Sequence, residues 1–156
     1  MSQEHHYQTH LVWTGNRGSG TADYKTYDRN YEIAITGKPV LPGSSDPAFR
    51  GDPGRHNPED MLLSAISSCH MLWYLHLCAV NNIVVTHYED KASATMTMNR
   101  DGSGQFTAAT LKPEITITAA SDPAKARELH HKASEMCFVA RSLNFPVTHE
   151  SVIQSE

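Results

Sequence analysis

The chain has 156 residues, a formal net charge of −4, and hydrophobic and charged shares of 39% and 19%. This length predicts a single domain over residues 1–156, and the ordinary composition predicts a globular fold. Because the chain is acidic overall and carries no cluster of Lys and Arg, we expect no nucleic-acid partner. No apolar run reaches the roughly 18 residues of a membrane span, and the first residues lack a signal-peptide pattern. The chain is therefore predicted to be cytoplasmic, with no membrane partner.

The first third of the chain predicts strands followed by a long irregular segment. Strand-forming residues with loose alternation predict three strands, at 7–14, 21–27 and 31–36. The next stretch, 37–56, is rich in Gly, Pro, Ser and Asp and includes Arg50 and Arg55. Irregular segments of this length are uncommon inside compact domains and are often functional.

A long helix follows, and a capping pattern marks its start. Asn57 suits the N-cap, and Pro58 suits the first helical position, where a proline loses no hydrogen bond. Glu59 and its acidic neighbour complement the positive end of the helix. Apolar residues then cover nearly every face over 61–80, which predicts a helix buried at the centre of the fold. The two asparagines that follow end it.

The second half of the chain predicts further strands around a second helix. That helix begins at the Ser-Asp-Pro sequence of 121–123 and is expected to end near 143–144. Strand patterns lie before and after it, at 83–88, 91–98, 106–118 and 145–153, and the middle two predict a β-hairpin. The order of strands, long helix, strands, helix and strand predicts an α+β domain.

The three cysteines, Cys69, Cys78 and Cys137, are the first candidates for chemistry. An odd number without an export signal favours reactive or simply buried thiols over a disulfide framework. Cys69 and Cys78 are nine helical positions apart, hence on opposite sides and about 13 Å apart along the axis, too far for a disulfide. Cys78 is therefore interpreted as structural. Cys137 lies in the second helix and meets Cys69 if the two helices pack together.

A thiol in an apolar helix is a poor nucleophile unless a cation or hydrogen-bond donors stabilise its thiolate. Arg50 and Arg55 in the irregular segment are candidate cations, and Glu59 lies on the same helix as Cys69. A carboxylate that binds the guanidinium bidentately would orient it and leave donors free for the sulfur and for a peroxide oxygen. The alternative interpretation is that these charges are solvated loop residues.

The ten histidines of the chain include His70, beside Cys69, and the pair His130-His131. The His-Glu-x-x-His pattern of zinc enzymes is absent, and so are the ligand pairs of a zinc ribbon. Adjacent helical residues do not face each other, so Cys69 and His70 do not form a Cys-His nucleophile pair. A metal site or a hydrolase is not favoured.

Three segments together resemble the family of osmotically inducible protein C (OsmC) and organic hydroperoxide resistance (Ohr) proteins. Residues 57–70, NPEDMLLSAISSCH, resemble the central-helix signature of that family. Residues 137–143, CFVARSL, look like its second-cysteine segment, and the Trp-Thr-Gly of 13–15 fits its first hairpin. The resemblance spans essentially the whole chain and is specific at the two cysteines.

The resemblance implies a fold and an activity. Family members are α+β proteins with antiparallel sheets around a long buried central helix and a second helix. They form intertwined homodimers with the active sites at the interface. They reduce hydroperoxides, especially organic ones, without haem, flavin or metal, so no cofactor is expected. The partners implied are a hydroperoxide substrate and a dithiol reductant.

The resemblance also implies roles for individual residues. Cys69 would be the peroxidatic thiolate that is oxidised to sulfenic acid, and Cys137 would condense with it to a disulfide that dithiols reduce. Glu59 matches the motif position of the activating carboxylate. Arg50 is the best match for the activating arginine, with Arg55 and Arg17 as alternatives.

Two departures from the family pattern indicate a distinct subgroup. The loop 43–55 differs from that of the best-known members, and Phe138 stands where many members carry proline. The preferred peroxide of such a subgroup can differ. Two alternative functions stay open: a redox sensor or small-molecule-binding protein of the same fold without multiple turnover, and a purely structural relative whose thiols are unreactive.

Overall fold

The computed structural model describes residues 3–156 of the chain. These residues form two compact units, the first ending at Met61 and the second comprising Leu62–Glu156. The long helix predicted from the sequence begins in the first unit and continues through the second. The single domain over 1–156 stays a prediction.

The first unit contains a three-stranded antiparallel sheet. Its strands are β1 (His10–Trp13), β2 (Tyr31–Ala34) and β3 (Leu41–Gly43), in that order across the sheet. The strand predicted at 21–27 is wrong, because this segment is a series of turns. Asp23 accounts for the difference: its carboxylate accepts from Lys25 N at 2.8 Å, and its carbonyl accepts from Thr26 N at 3.1 Å. Such local hydrogen bonds compete with strand pairing.

The long helix, α1 (Pro58–Val80), has the predicted ends. Asn57 Oδ1 accepts a hydrogen bond from Asp60 N at 2.8 Å, as an N-cap does. At the other end Asn82 adopts a left-handed conformation with φ 59°, and Ile83 N donates to Cys78 O at 3.0 Å. The capping pattern was therefore sufficient to predict both ends of α1.

Burial along α1 is narrower than its composition predicts. The fully buried residues are Ile66, His70, Tyr74 and Cys78, which recur every four positions along one stripe. Apolar side chains elsewhere on the helix are exposed in the single chain; Leu72 is 62% exposed. By length and composition alone α1 would also suffice to cross a membrane, contrary to the sequence expectation. Core helices of soluble proteins pass the same test, so this is weak evidence for a span.

The second unit holds two mixed three-stranded sheets and the remaining helices. The elements are β4 (Val85–Asp90), β5 (Ser93–Met98), β6 (Gly104–Leu111), β7 (Pro113–Ile117), α2 (Pro123–Met136), α3 (Phe138–Arg141), β8 (Val147–His149) and β9 (Val152–Ser155). One sheet has the strand order β4-β7-β9 and the other has the order β5-β6-β8. In each sheet the last strand pairs parallel with its neighbour, β9 with β7 and β8 with β6, and the other two pairs are antiparallel. The predicted α+β class is confirmed.

Two predicted elements of this unit are each divided in two. The strand predicted at 106–118 breaks at Lys112, whose N–H leaves the ladder and donates to Asp90 Oδ1 at 2.7 Å. The second helix breaks at Cys137, whose backbone is extended with φ −65° and ψ 108°. The break places a candidate functional residue between α2 and α3 rather than inside a helix.

Candidate functional site

The second unit places the thiols of Cys69 and Cys137 next to each other, close enough for the ionisation of one to affect that of the other. Cys69 lies on α1 and is partly exposed, whereas Cys137 is buried at the junction of α2 and α3. Burial, and next the neighbouring Cys69 thiol, raise the pKa of the Cys137 thiol to about 11. Cys137 is therefore a protonated thiol at neutral pH, held against the sulfur of a more accessible cysteine.

Local backbone structure holds Cys137 in this position. Its N–H donates to Ala133 O at 2.9 Å and so closes the last turn of α2. Its Sγ accepts from Ala140 N at 3.4 Å at the first turn of α3. Cys137 is thus held by hydrogen bonds to both helices, although its own backbone lies in neither of them.

Cys78, the third cysteine, takes no part in this contact. It lies in the core cluster that surrounds Tyr74 and is 1% exposed. Burial raises the pKa of its thiol, an effect partly offset by the neighbouring Tyr74 hydroxyl. A thiol in such a setting is unreactive at neutral pH.

The candidate arginines Arg50 and Arg17 lie in the first unit, each against local partners. Arg50 adopts a left-handed conformation with φ 66° after a short 3₁₀ turn, and its guanidinium lies 5.8 Å from the centre of the Tyr24 ring. Arg17 donates from Nη2 to Lys25 O at 2.7 Å, and its Nε lies 3.7 Å from a carboxylate oxygen of Asp28.

Arg55 and Glu59 share a neighbour in the same unit. Arg55 donates from Nη1 to Tyr31 O at 3.4 Å and its Nε lies 3.7 Å from Asp52 Oδ2. Burial raises the pKa of the Tyr31 hydroxyl, and the nearby Glu59 carboxylate raises it further. The two cysteines and the arginine–glutamate candidates therefore belong to different units, and the pairing of Arg50 with Cys69 stays a prediction.

An aromatic pair adjoins the two thiols within the second unit. Trp73 lies one helical turn after Cys69, and its ring meets Phe138 edge to face with centroids 5.4 Å apart. Phe138 directly follows Cys137 and is 69% exposed. Trp73 also lines an open cavity of about 260 Å³ together with Leu72 and His76. Residues close in sequence to each cysteine thus present aromatic surface.

The sequence profile of the family described as OsmC-like protein matches residues 51–152. This chain belongs to the OsmC-like family. The match includes both cysteines, Glu59 and Arg55, and it begins directly after Arg50. The family predicted from the sequence is thereby confirmed.

Solved structures agree with this assignment. An OsmC-like protein of unknown function from Vibrio cholerae superposes with a TM-score of 0.86 at 26% identity, covering 96% of this chain and 100% of the other. An organic hydroperoxide resistance protein OsmC from Legionella pneumophila has a TM-score of 0.67 at 17% identity, with coverages of 97% and 99%. The organic hydroperoxide resistance protein OhrB of Bacillus subtilis has a TM-score of 0.62 at 18% identity, with coverages of 95% and 98%. No curated protein sequence matches the chain significantly.

This OsmC-like chain also contains a buried histidine cluster that sequence reasoning missed. His70 Nε2 and His130 Nδ1 are 3.0 Å apart, and the ring of His149 lies 5.6 Å from each. His130 stacks on Tyr74 with ring centroids 3.8 Å apart. Helical spacing held part of the signal, because His70 shares the buried stripe of α1 and His130 lies one residue after buried Leu129 of α2.

Burial keeps these imidazoles neutral. It lowers the pKa of His70 to about 4, with a smaller contribution from His149. It lowers the pKa of His130 to about 3, and His70 adds to the effect. Within residues 3–156 no group of three or more His, Cys, Asp or Glu side chains is arranged to hold a metal ion. His70 Nε2 and His130 Nδ1 are hydrogen-bonded to each other, so these two nitrogens are not free to bind one metal ion between them.

A small cavity of about 30 Å³ joins this cluster to the thiol pair of the OsmC-like site. Its polar lining residues are His70, Ser134 and Cys137, and the rest of its wall is apolar. A volume of this size suffices for one water molecule with polar partners. The buried thiol and the histidine pair therefore face the same enclosed space.

Proposed function

We propose that this OsmC-like protein is a thiol-dependent peroxidase that reduces hydroperoxides, with Cys69 as the peroxidatic thiolate and Cys137 as the resolving thiol. The proximity of these two thiols, each near enough to affect the ionisation of the other, is the observation that carries the proposal. It places a partly exposed sulfur beside a buried thiol, as a peroxidatic and a resolving cysteine require. The family, which includes hydroperoxide resistance proteins, supports the same activity.

The reaction has three steps that balance. The Cys69 thiolate attacks a peroxide oxygen, the O–O bond breaks, and the alkoxide takes a proton to leave as an alcohol, which leaves Cys69 as sulfenic acid. Cys137 then forms the S–S bond as the S–O bond breaks, and water is released. A dithiol reductant restores both thiols by exchange and becomes a disulfide itself.

The first step needs a cation beside the Cys69 sulfur to stabilise its thiolate. We propose Arg50 for this role, oriented by Glu59, with Arg55 and Arg17 as alternatives. Arg50 is suitable because its guanidinium makes no ion pair within the first unit that the structure describes, whereas Arg17 and Arg55 each face an aspartate.

An organic hydroperoxide is the proposed substrate class. Trp73, one helical turn after Cys69, and Phe138, directly after Cys137, form an edge-to-face pair, and Trp73 also lines an open cavity with Leu72 and His76. An alkyl or aryl group gains by leaving water for such a surface, whereas hydrogen peroxide has no group to place there.

The function is tested by steady-state turnover with a dithiol such as dithiothreitol. We expect continued consumption of cumene hydroperoxide, with a higher kcat/KM than for hydrogen peroxide. Oxidation of one equivalent followed by no further turnover would instead support the redox-sensor alternative. Thiols that resist alkylation at neutral pH would support a purely structural role.

Replacement of Cys137 tests the resolving role by itself. In Cys137→Ser, Cys69 is still oxidised, but its sulfenic acid has no neighbouring thiol to condense with. We expect mass spectrometry to show sulfinic and sulfonic forms of Cys69 that accumulate with each addition of peroxide. Unchanged turnover without such over-oxidation would remove Cys137 from the mechanism.

The protein is further proposed to be a homodimer, as the family resemblance implies. Leu72, Val80 and Phe138 are large apolar side chains that are more than half exposed in the single chain. A second copy that covers them would bury apolar surface that is otherwise in contact with water. Sedimentation equilibrium is expected to give twice the 17.3 kDa of one chain; a monomer at micromolar concentration would contradict this.

A cytoplasmic location is part of the proposal. Cytoplasmic thiols are kept reduced, which suits a cycle that ends in dithiol reduction. The three cysteines of the structure are free.

A further inference from the structure

Disulfide formation raises a proton-transfer problem at Cys137. The buried thiol must lose its proton as its sulfur attacks Cys69, yet its pKa is about 11. Without a base nearby, only a minute fraction of Cys137 would be reactive at neutral pH. A protein group that accepts the proton in the transition state would remove this dependence on the free thiolate.

The enclosed cavity of about 30 Å³ places a suitable group beside Cys137. His70 and Cys137 line this space together, and one water molecule fits between polar groups there. His70 follows Cys69 directly on α1 and shares the wall of the cavity with Cys137. Ser134, on α2, is the remaining polar lining group.

The bond between His70 and His130 makes the pair able to shift a proton. Two neutral imidazoles 3.0 Å apart share one hydrogen, which either His70 Nε2 or His130 Nδ1 carries. When His70 Nε2 carries it, His70 Nδ1 is free to accept a second proton. A positive charge that arises on His70 is then shared with His130 through this bond.

The far nitrogen of the pair is unanchored. His130 Nε2 is buried and has no hydrogen-bond partner among the described residues. Either protonation state of this atom leaves a buried group unsatisfied, so no fixed partner selects one tautomer of the pair. A structural histidine in a core is ordinarily bonded at both nitrogens, and this exception calls for a role.

We propose that the His70–His130 pair accepts the Cys137 proton, through a water in the shared cavity, while the disulfide with Cys69 forms. This inference rests on the proposed peroxidase function. As the S–S bond forms and the S–O bond of the Cys69 sulfenic acid breaks, the Cys137 proton passes by way of His70 to the departing hydroxide, which leaves as water. The low pKa of the pair disfavours a separate imidazolium, so this transfer is concerted with the two bond changes. The imidazole pair ends neutral, and no oxidant or reductant beyond the first peroxide is used.

The surroundings keep the pair unprotonated over the working range. Burial is the main cause, and the pair stays neutral above about pH 4. The titratable groups that act on the pair or line its cavity are Tyr74, Asp90, His131, Cys137 and His149. Asp90 favours a positive charge on His70 and His149 opposes it, whereas His131 and His149 both oppose a positive charge on His130.

The native protein provides the first test. One equivalent of cumene hydroperoxide is mixed with reduced protein, and samples quenched with dimedone are analysed by mass spectrometry for Cys69 sulfenic acid and for the disulfide. We expect the rate constant of disulfide formation to be constant between pH 5 and 8, because the accepting base is already neutral. A rate that rises tenfold per pH unit would show that free Cys137 thiolate attacks, and would overturn the relay.

His70→Gln provides the second test, since glutamine keeps a hydrogen-bonding amide but accepts no proton. We expect disulfide formation at pH 7 to slow at least tenfold and to become pH-dependent, with Cys69 oxidation unchanged. General-base groups typically contribute about a hundredfold or more. The matched control is His87→Gln, an exposed histidine of β4, for which both rates should stay native.

The outcomes separate this inference from the function on which it rests. If Cys69 is never oxidised by the native protein, the proposed function fails and the relay with it. If Cys69 is oxidised normally but His70→Gln and His130→Gln form the disulfide at native rates, the relay alone is overturned. Should these variants not fold, the pH profile of the native protein decides by itself.

Discussion

Replacement of Cys69 by serine is expected to reduce kcat/KM for cumene hydroperoxide by about a thousandfold or more. Removal of a catalytic nucleophile has effects of at least this size, because the remaining groups bind substrate without a covalent route. The hydroxyl of serine is far less acidic than a thiol and does not cleave the peroxide bond. The measurement is steady-state turnover with dithiothreitol, with circular dichroism to show that the fold is retained.

Cys78→Ala is the matched control for this loss. Cys78 lies on the same helix as Cys69 but is enclosed in the core around Tyr74. We expect this variant to keep near-native turnover, with a lower stability because a buried side chain is shortened. Full activity of Cys69→Ser, or equal losses in both variants, would contradict the assignment of Cys69 as the attacking residue.

Acidification is expected to destabilise the protein strongly between pH 6.5 and pH 4. The pKa of His70 falls from 6.5 in the unfolded chain to about 4 in the fold. Between these two pH values His70 is protonated in the unfolded chain but neutral in the folded protein. The free energy of unfolding therefore decreases as the pH falls. For His70 alone the loss is about 3 kcal/mol by pH 4, and His130 acts in the same direction.

Urea denaturation at several pH values between 7.5 and 4 measures this effect. Carboxylates also contribute to acid unfolding, so the informative quantity is the difference between the native protein and His70→Gln. We expect the variant to be less stable at pH 7.5 but to lose less of its stability on acidification. If the free energy of unfolding fell with pH equally in the two proteins, the lowered pKa of His70 in the folded state would be contradicted.

The helix α1 shows how far local patterns determine structure. Its start at Pro58 and its end at Val80 follow from the capping residues, which act through hydrogen bonds to neighbours a few positions away. The segment 21–27 shows the opposite case. Its strand-forming residues are overridden by the hydrogen bonds of Asp23, which favour turns.

The chemistry divides in the same way. The two cysteines, the family and the α+β class could be predicted from motifs, because their residues stand at characteristic spacings along the chain. The extended backbone at Cys137 could not be predicted, since the residues of 121–144 continue a helical pattern through it. The arginine that serves Cys69 stays a prediction, because a loop side chain has no periodic pattern that places it.

The sequence by itself determined the helix that carries Cys69, the α+β class and the family. These depend on capping, periodicity and motif, all of which are local. Only the tertiary structure decided that Cys69 and Cys137 are neighbours, and that His70, His130 and His149 form one buried cluster. These residues come from α1, from α2 and its end, and from β8, and packing brings together side chains as distant in the chain as His70 and His130, which are 60 positions apart.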